Sequence, residues 1–307
     1  MKISLLMSTY NGEKYIEEQL DSLLWQTRPI DEVMIIDDCS TDNTVNVIIK
    51  YIEFHGLSST WKVKVNSENK GWRNNFFDGM DLTSGDILFF CDQDDVWFKD
   101  KVEKVYNVLI TNYDISVVAS KETLWKGVKK NKLVSDISCV EKIKLDATGK
   151  EYMIRCSGCT MAMKRTYINK IQPYYTSGWA HDDFFWKMGI VDECIALLQC
   201  STILHRIHGK NESRKKRNFT STVNGLDVDL RICKQLLRYI DDNKMVVNLP
   251  EVKIKTIKHR EKGTQLRINL FNKKDIKSFF KIVFHYSDIY RRKRQIIGDL
   301  LLALNLK

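Results

Sequence analysis

Long apolar runs are missing from this sequence. No stretch of about eighteen uncharged apolar residues occurs, the length a helix needs to cross a hydrocarbon layer, so a membrane-spanning chain is not expected. The opening MKISLLMSTYNG has too short an apolar stretch and too early a turn for a secretory leader, and the expected location is the cytoplasm. Proline is scarce, three in 307 residues, and the 14 glycines are scattered, which excludes collagen-like and most disordered segments. The eight cysteines, at 39, 91, 139, 156, 159, 194, 200 and 233, lie mostly in apolar stretches and read as buried reduced thiols. Cys156 and Cys159 form a C-x-x-C, but no second pair stands at zinc spacing, so neither a metal nor a redox role is expected of them.

What is present is a chain of ordinary globular composition, 43% hydrophobic and 29% charged, with its charge unevenly placed. Residues 1–205 carry 24 Lys and Arg against 29 Asp and Glu, a net of −5, whereas residues 206–307 carry 25 against 10, a net of +15. A basic tail invites nucleic acid or anionic lipid. The mildly acidic first part argues against a chain that coats a phosphate backbone along its length.

The first two-thirds alternate short apolar runs with helical patterns, the mark of an α/β fold with a largely parallel sheet. Strands are predicted at Ile3–Met7, Val33–Ile36, Trp61–Val65, Ile87–Cys91 and Ile115–Ala119. Helices are predicted at Tyr15–Leu24, Thr44–Phe54, Asn74–Leu82 and Asp182–Ile190. Met153–Cys156 and Thr160–Met163 read as a strand pair around Ser157 and Gly158, and residues 120–150 as a variable loop. Beyond residue 218 the pattern is helical and basic, which suggests one unit over residues 1–212 and a second over 213–307.

In such sheets ligands bind beyond the carboxyl ends of the strands. Here those ends are acidic: Ser8-Thr9-Tyr10-Asn11-Gly12, Asp37-Asp38-Cys39-Ser40 and Asp92-Gln93-Asp94-Asp95. Asp and Asn serve as helix caps, and Asp42 before Asn43-Thr44 fits that use. Capping needs one such residue per helix, however, and carboxylates converging on one sheet edge repel each other. A bound divalent cation is the economical explanation.

At this point the chain resembles family 2 of the nucleotide-sugar glycosyltransferases, with the GT-A (Rossmann-like) fold, and within it the bacterial rhamnosyltransferases of surface polysaccharides. The motifs come in the family order: SLLMSTYNGEKYIEEQLDSLLWQT, EVMIIDDCSTDNT, ENKGWRNNF, GDILFFCDQDDVWFKDK, SGCTMAMKR, GWAHDDFFW and HRIHGKN, over roughly residues 1–212. Ser8 departs from the proline that many members carry there. The resemblance implies a mixed, mostly parallel sheet flanked by helices, with a basic helical extension, and an inverting transfer from a UDP or dTDP sugar, with dTDP-rhamnose favoured. It also implies a glycan or lipid-linked acceptor in cell-surface polysaccharide synthesis.

The residue chemistry agrees with that implication. A departing nucleotide diphosphate gathers negative charge, which Mn²⁺ or Mg²⁺ neutralises. By resemblance Asp92 orients the ribose or a metal-bound water, Asp94 ligates the cation, and His208 reaches the metal or diphosphate beside Arg206 and Lys210. Asp95 reads as a helix cap or sugar contact. Tyr10 can stack on a pyrimidine, and Asp38 can accept from the ring N3–H that uracil and thymine share. Thr9, Asn11 and Glu13 complete the base pocket by resemblance, and Arg73 is a nucleotide contact. An acceptor hydroxyl must lose a proton as it attacks, and the candidates for that base are Asp182 and Asp183, with Asp182 preferred. Gly158 would let backbone approach a sugar closely.

Two other classes compete: a nucleic-acid-binding or nucleotidyl-transfer protein, and an inactive glycosyltransferase-like binding module. The basic residues fall outside the α/β region without interleaved aromatics, so no nucleic acid is expected. The intact Asp-x-Asp and His-Asp-Asp weigh against the second. In the tail, Ile289, Ile296, Ile297, Leu300, Leu301 and Leu304 recur at helical spacing, with Arg291, Arg292, Lys293 and Arg294 crowded near its start, which suits either an in-plane helix on an anionic membrane surface or packing on the chain's own domain or a partner subunit.

Overall fold

A computed structural model describes residues 1–126, 139–145, 148–209, 218–243, 251–290 and 292–305. Its first half is a run of β-α units: β1 (Ile3–Thr9), α1 (Ile16–Leu24), β2 (Glu32–Asp37), α2 (Thr44–Phe54), β3 (Trp61–Val65), α3 (Trp72–Gly79) and β4 (Ile87–Asp92). There follow β5 (Val96–Trp97), α4 (Lys101–Thr111), β6 (Val117–Trp125), β7 (Val140–Ile143), β8 (Ala162–Lys164), α5 (Arg165–Ile171), α6 (His181–Val191) and β9 (Ile195–Arg206). The tail is helical, α7 (Phe219–Asp242), α8 (Glu251–Lys273), α9 (Ile276–His285) and α10 (Arg294–Ala303).

These strands form one mixed sheet in the order β3-β2-β1-β4-β8-β6-β9-β5, with β7 also paired to β9. β1, β2, β3, β4, β6 and β9 point one way, and β5, β7 and β8 run against them. The apolar runs explain the centre. In β1, Ile3, Leu5 and Met7 enter one core and Leu6 the other, and in β4 Ile87, Phe89 and Cys91 face the first while Leu88 and Phe90 face the second. A strand buried on both faces needs such a continuous run, and side chains of period two divide it between the layers. Register then sets the functional edge: Ser8 pairs with Ile36 and Asp92, and Thr9 with Asp37, so three acidic or polar loops leave the sheet at one level.

Three expectations need correction. Met153–Cys156 is not a strand, and Gly158–Thr160 is a single 3₁₀ turn; only Ala162–Lys164 pairs, bridging β4 and β6. Residues 120–150 are not all loop, since β6 reaches Trp125 and β7 occupies Val140–Ile143; residues 127–138 and 146–147 lie outside the described set. Cys139 is exposed rather than buried, and Cys39 and Cys156 are half-buried; all eight thiols are free.

The tail does not stand apart from the sheet. Ile232, Cys233, Leu236, Tyr239 and Ile240 of α7 and Ile257 of α8 share the larger core with the sheet and α6. The apolar stripe expected near the end divides: Ile289 and Ile296 are buried and Leu300 packs on Leu226 and Phe271, while Ile297 and Leu301 face outward. Arg291 lies outside the described residues. No helix among the described residues is long and apolar enough to cross a membrane.

Gly85, just before β4, sits against the first strand, where an added Cβ would meet the Ser4 amide nitrogen at 2.6 Å and the Ile3 carbonyl carbon at 3.0 Å. Backbone cannot yield as a side-chain tip does. Gly85→Ala should lower stability by about 1–3 kcal/mol, the usual cost of overpacking, measured as a fall in the denaturant midpoint with an unchanged slope.

Candidate active site

The edge is built from three loops tied to one another. The Gln93 side chain spans between β4 and the β1 loop, accepting from the Tyr10 amide (2.8 Å) and donating to the Tyr10 carbonyl (2.9 Å). Gly12 leaves room for it, since a Cβ there would lie 2.2 Å from Gln93 Oε1. Asn11, in the left-handed region at φ 49°, accepts from the Thr41 (2.8 Å) and Asp42 (3.3 Å) amides, and Glu13 accepts from the Asn43 amide (2.9 Å). Asp42 in turn accepts from the Thr44 amide and helps start α2, as expected of it. Asn11 and Glu13, expected from sequence in a base pocket, tie the β1 loop to the loop before α2. Thr9 is buried and donates to Asp37 (2.8 Å), so it acts through that carboxylate rather than by touching a base. Tyr10, by contrast, is 45% exposed at this edge.

Asp38 is 2% exposed, and its oxygens accept from Asn66 Nδ2 (2.9 Å) and from the Lys70 (2.9 Å) and Gly71 (2.8 Å) amides. It pins the turn that leads into Arg73, and a bond to a pyrimidine N3–H would use the lone pairs that remain. Arg73 is exposed with its guanidinium over Trp72 (4.3 Å), and its charge reaches His181 and Asp182. It belongs to the side of the site that Asp182 occupies.

Asp94 and His208 meet at the end of β4. His208 Nε2 lies 2.6 Å from Asp94 Oδ2, the imidazole stacks on Tyr15 (5.1 Å), and both side chains keep some contact with solvent, 17% and 14%. Burial, and then the charge of Asp95, push the Asp94 carboxyl upward against its bond to His208; burial with the charges of Asp95 and Asp94 does the same to Asp92. Arg206 does not point at this pair as a free anion receptor. Its Nε donates to the Asp94 carbonyl (2.7 Å) and a terminal nitrogen to Glu18 (2.5 Å), so it clamps α1, β9 and the Asp-x-Asp turn together. Lys210 and Asn211 lie outside the described residues.

Asp95 is neither a helix cap nor open to a sugar. It is fully buried, accepts from the Arg206 amide (3.0 Å) and faces His205 Nδ1 at 3.1 Å, and that bond first, with the Asp95 charge, raises the imidazole to about 9. Asp95, Cys159 and His205 bring one ligand atom each within 4.8 Å. Asp95 and Cys159 are sealed from solvent, so an ion there would be walled off from a donor, and the buried Lys101 beside them, bonded to the Cys159 carbonyl and 3.4 Å above the Trp97 ring, already supplies positive charge. Asp94 and His208, which keep some contact with solvent, are the pair that could hold a divalent cation within reach of a ligand.

On the far side, α6 presents its first turn. Asp183 is spent on structure: it accepts from Trp179 Nε1 (2.8 Å) and pairs with Lys187. Asp182 accepts only from the Asp183 amide (2.8 Å) through Oδ1, among the described residues, leaving Oδ2 for chemistry. Burial first, and then the neighbouring Asp183 charge, raise its carboxyl to about 6. His181 is buried among Phe76, Phe90 and Trp72 with neither ring nitrogen bonded, and burial holds it neutral by lowering it to about 3.

Residues 4–171, more than half of the chain, match glycosyl transferase family 2. The chain belongs to that family. Among curated relatives of this family 2 member, the Escherichia coli enzyme WfgD, named as a UDP-Glc:α-D-GlcNAc-diphosphoundecaprenol β-1,3-glucosyltransferase, is 26% identical over 74% of this chain and 84% of its own length. The dTDP-rhamnosyl transferase RfbG of Shigella flexneri is 37% identical over 37% of this chain and 41% of its own. In three dimensions the chain is similar to residues 1–349 of Staphylococcus aureus TarS, solved with UDP-GlcNAc, at a TM-score of 0.66 and 20% identity, over 99% of this chain and 81% of that one. The fold is therefore GT-A, as the motifs implied.

Gly158 was expected to admit a sugar. The space it leaves is taken by protein: a Cβ would lie 2.3 Å from His181 Nε2 and 3.2 Å from Asp182 Cβ. Gly158→Ala should displace the first turn of α6 and slow sugar transfer by about 10²-fold, as expected for a misplacement near 1 Å, with little change in donor affinity. Transfer kinetics beside calorimetric titration of the nucleotide would check it; equal losses in both would argue against a local effect on Asp182.

Proposed function

We propose that this family 2 glycosyltransferase is an inverting, cation-dependent enzyme that takes a sugar from a dTDP or UDP donor and passes it to a glycan or lipid-linked acceptor in cell-surface polysaccharide synthesis, at the cytoplasmic face of a membrane. The observation that carries the reading is the pairing of Asp94 with His208 at the same sheet edge as the exposed Tyr10. dTDP-rhamnose is the favoured donor. It draws support from the RfbG match, whereas WfgD carries UDP-Glc in its name and TarS was solved with UDP-GlcNAc, and the N3–H edge common to thymine and uracil suits both.

Asp94 and His208 would hold Mn²⁺ or Mg²⁺ through a hard oxygen and an imidazole nitrogen, and such an ion supplies charge neutralisation for the departing diphosphate. The protein's own residues carry the remaining steps. Tyr10 stacks on the base, with Thr9, Asn11, Glu13 and Asp38 fixing the loops around it, and Asp92 orients the ribose. Arg73 places positive charge between the donor and Asp182. Asp182 Oδ2 takes the proton of the acceptor hydroxyl as that oxygen attacks the anomeric carbon opposite the leaving group, so the sugar's configuration inverts.

The direct test is release of nucleoside diphosphate from a panel of dTDP and UDP sugars offered with a lipid-diphosphate acceptor, with Mn²⁺ or Mg²⁺ and with chelator. Release that needs the ion, with an inverted linkage in the product, is expected; no release from any donor would overturn the reading. Asp94→Asn should abolish turnover while leaving the melting temperature near that of the parent, and activity within about threefold of the parent would remove Asp94 from the metal site. Asp182→Asn should reduce kcat by about 10²–10⁴ with nucleotide affinity unchanged.

The raised carboxyl of Asp182 also fixes a pH profile. The ionised form is the base, so kcat/KM should hold above about 6 and fall by about tenfold for each pH unit below it. The acid limb should disappear from the residual activity of Asp182→Asn and persist in Asp183→Asn if the latter retains its fold.

A further inference from the structure

Among the described residues, the exposed apolar face of the tail is not the one its sequence pattern points to. In α9, Ser278, Phe279, Ile282 and Val283 turn inward, packing with Leu266, Ile289 and Ile296 among others. Ile276, Phe280 and Phe284 turn outward, at 49%, 53% and 74% exposure. Their i, i+4, i+8 spacing sets them on one arc of about 80°. Three large apolar side chains so aligned are costly to leave in water, and a single scattered one would call for no explanation.

Charge says what covers this arc. Lys273, Lys274, Lys277 and Lys281 are all exposed beside it, against one acid over residues 273–287. That acid, Asp275, is occupied as the helix cap, accepting from the Lys277 amide (3.1 Å) and Ser278 Oγ (2.6 Å). Exposed apolar residues flanked by lysines fit a surface that is apolar in depth and anionic at its face. Two copies of the arc would bring lysine against lysine, which opposes self-association through it.

We propose that α9 docks the protein on an anionic lipid bilayer, with Ile276, Phe280 and Phe284 entering the headgroup boundary and Lys273, Lys274, Lys277 and Lys281 meeting lipid phosphates. This deepens the functional reading by naming the surface on which the acceptor would be met, yet it stands on residues outside the transfer site. Its test reads position rather than catalysis, so either idea can fail alone.

The full chain is floated with vesicles of phosphatidylcholine mixed with phosphatidylglycerol, and with phosphatidylcholine alone, at low and high salt. Flotation with the anionic vesicles that weakens with salt is expected. Phe280→Asp combined with Phe284→Asp should cut the partition coefficient by roughly tenfold or more, since two rings return to water. Lys277→Glu with Lys281→Glu should remove the preference for anionic lipid. Both doubles change solvent-facing positions, and an unaltered melting curve confirms that the fold is intact. Failure of the parent to float, or a Phe280/Phe284 variant that floats as well as the parent, overturns the proposal. A dimer of the parent that the phenylalanine variant dissociates, without flotation, would show that a second copy covers the arc instead.

Discussion

Asp95 is the constraint on which the donor edge depends. Its carboxylate lies wholly inside the protein and holds the Arg206 amide and the His205 imidazole, residues more than a hundred positions further along the chain. Once those bonds form, Arg206 is placed to donate to the Asp94 carbonyl and to Glu18, and His208, two residues on, comes within 2.6 Å of the Asp94 carboxylate. Removing one partner of a buried charged pair leaves the other uncompensated, at a cost of about 3–5 kcal/mol. The two ligands proposed for the cation thus owe their meeting to a third side chain that cannot touch it.

The same region shows how three carboxylates coexist within four residues. Burial first, and then the Asp95 charge, raise the carboxyls of Asp92 and Asp94, and the Asp94 charge adds to the effect on Asp92. His205 answers Asp95 from β9, Arg206 closes the outer side, and Lys101, with no solvent contact, lies below against Trp97. Asp94 Oδ2 faces His208 Nε2 at 2.6 Å, the pair proposed to hold a divalent cation.

The sheet was readable because a strand buried on both faces must be an apolar run, and β1, β2 and β4 are such runs; the acidic loops after them were readable because strand ends in register share one edge. The division of labour among the loop residues was not. Asn11, Glu13 and Thr9 have the right chemistry for a ligand and equally for a neighbouring amide, and only three-dimensional proximity decides between those uses. Gln93, which ties the β1 loop to the Asp-x-Asp turn, gave no signal beyond its place between two aspartates. Lys101, at the start of α4, is found in the core with no feature of the sequence to mark it. The short β8 was expected two residues early, at Thr160–Met163, since three residues carry too little pattern to separate a strand from the 3₁₀ turn beside it.

The first turn of α6 shows what separates Asp182, the proposed base, from Asp183. Phe184, Phe185 and Trp186 are completely buried, which anchors the helix start in the core that the sheet shares with α7. Asp183 adds to that anchor through Trp179 and Lys187. A base must be held within a fraction of an ångström and still keep an oxygen uncommitted, and these demands conflict for one residue. Here adjacent residues divide them: Asp183 takes the structural bonds, and the rigidity they confer is passed through the helix to Asp182. Burial raises the Asp182 carboxyl first, and the charge of the same Asp183 adds to it, so Asp183 bears on both the position and the basicity of the proposed base.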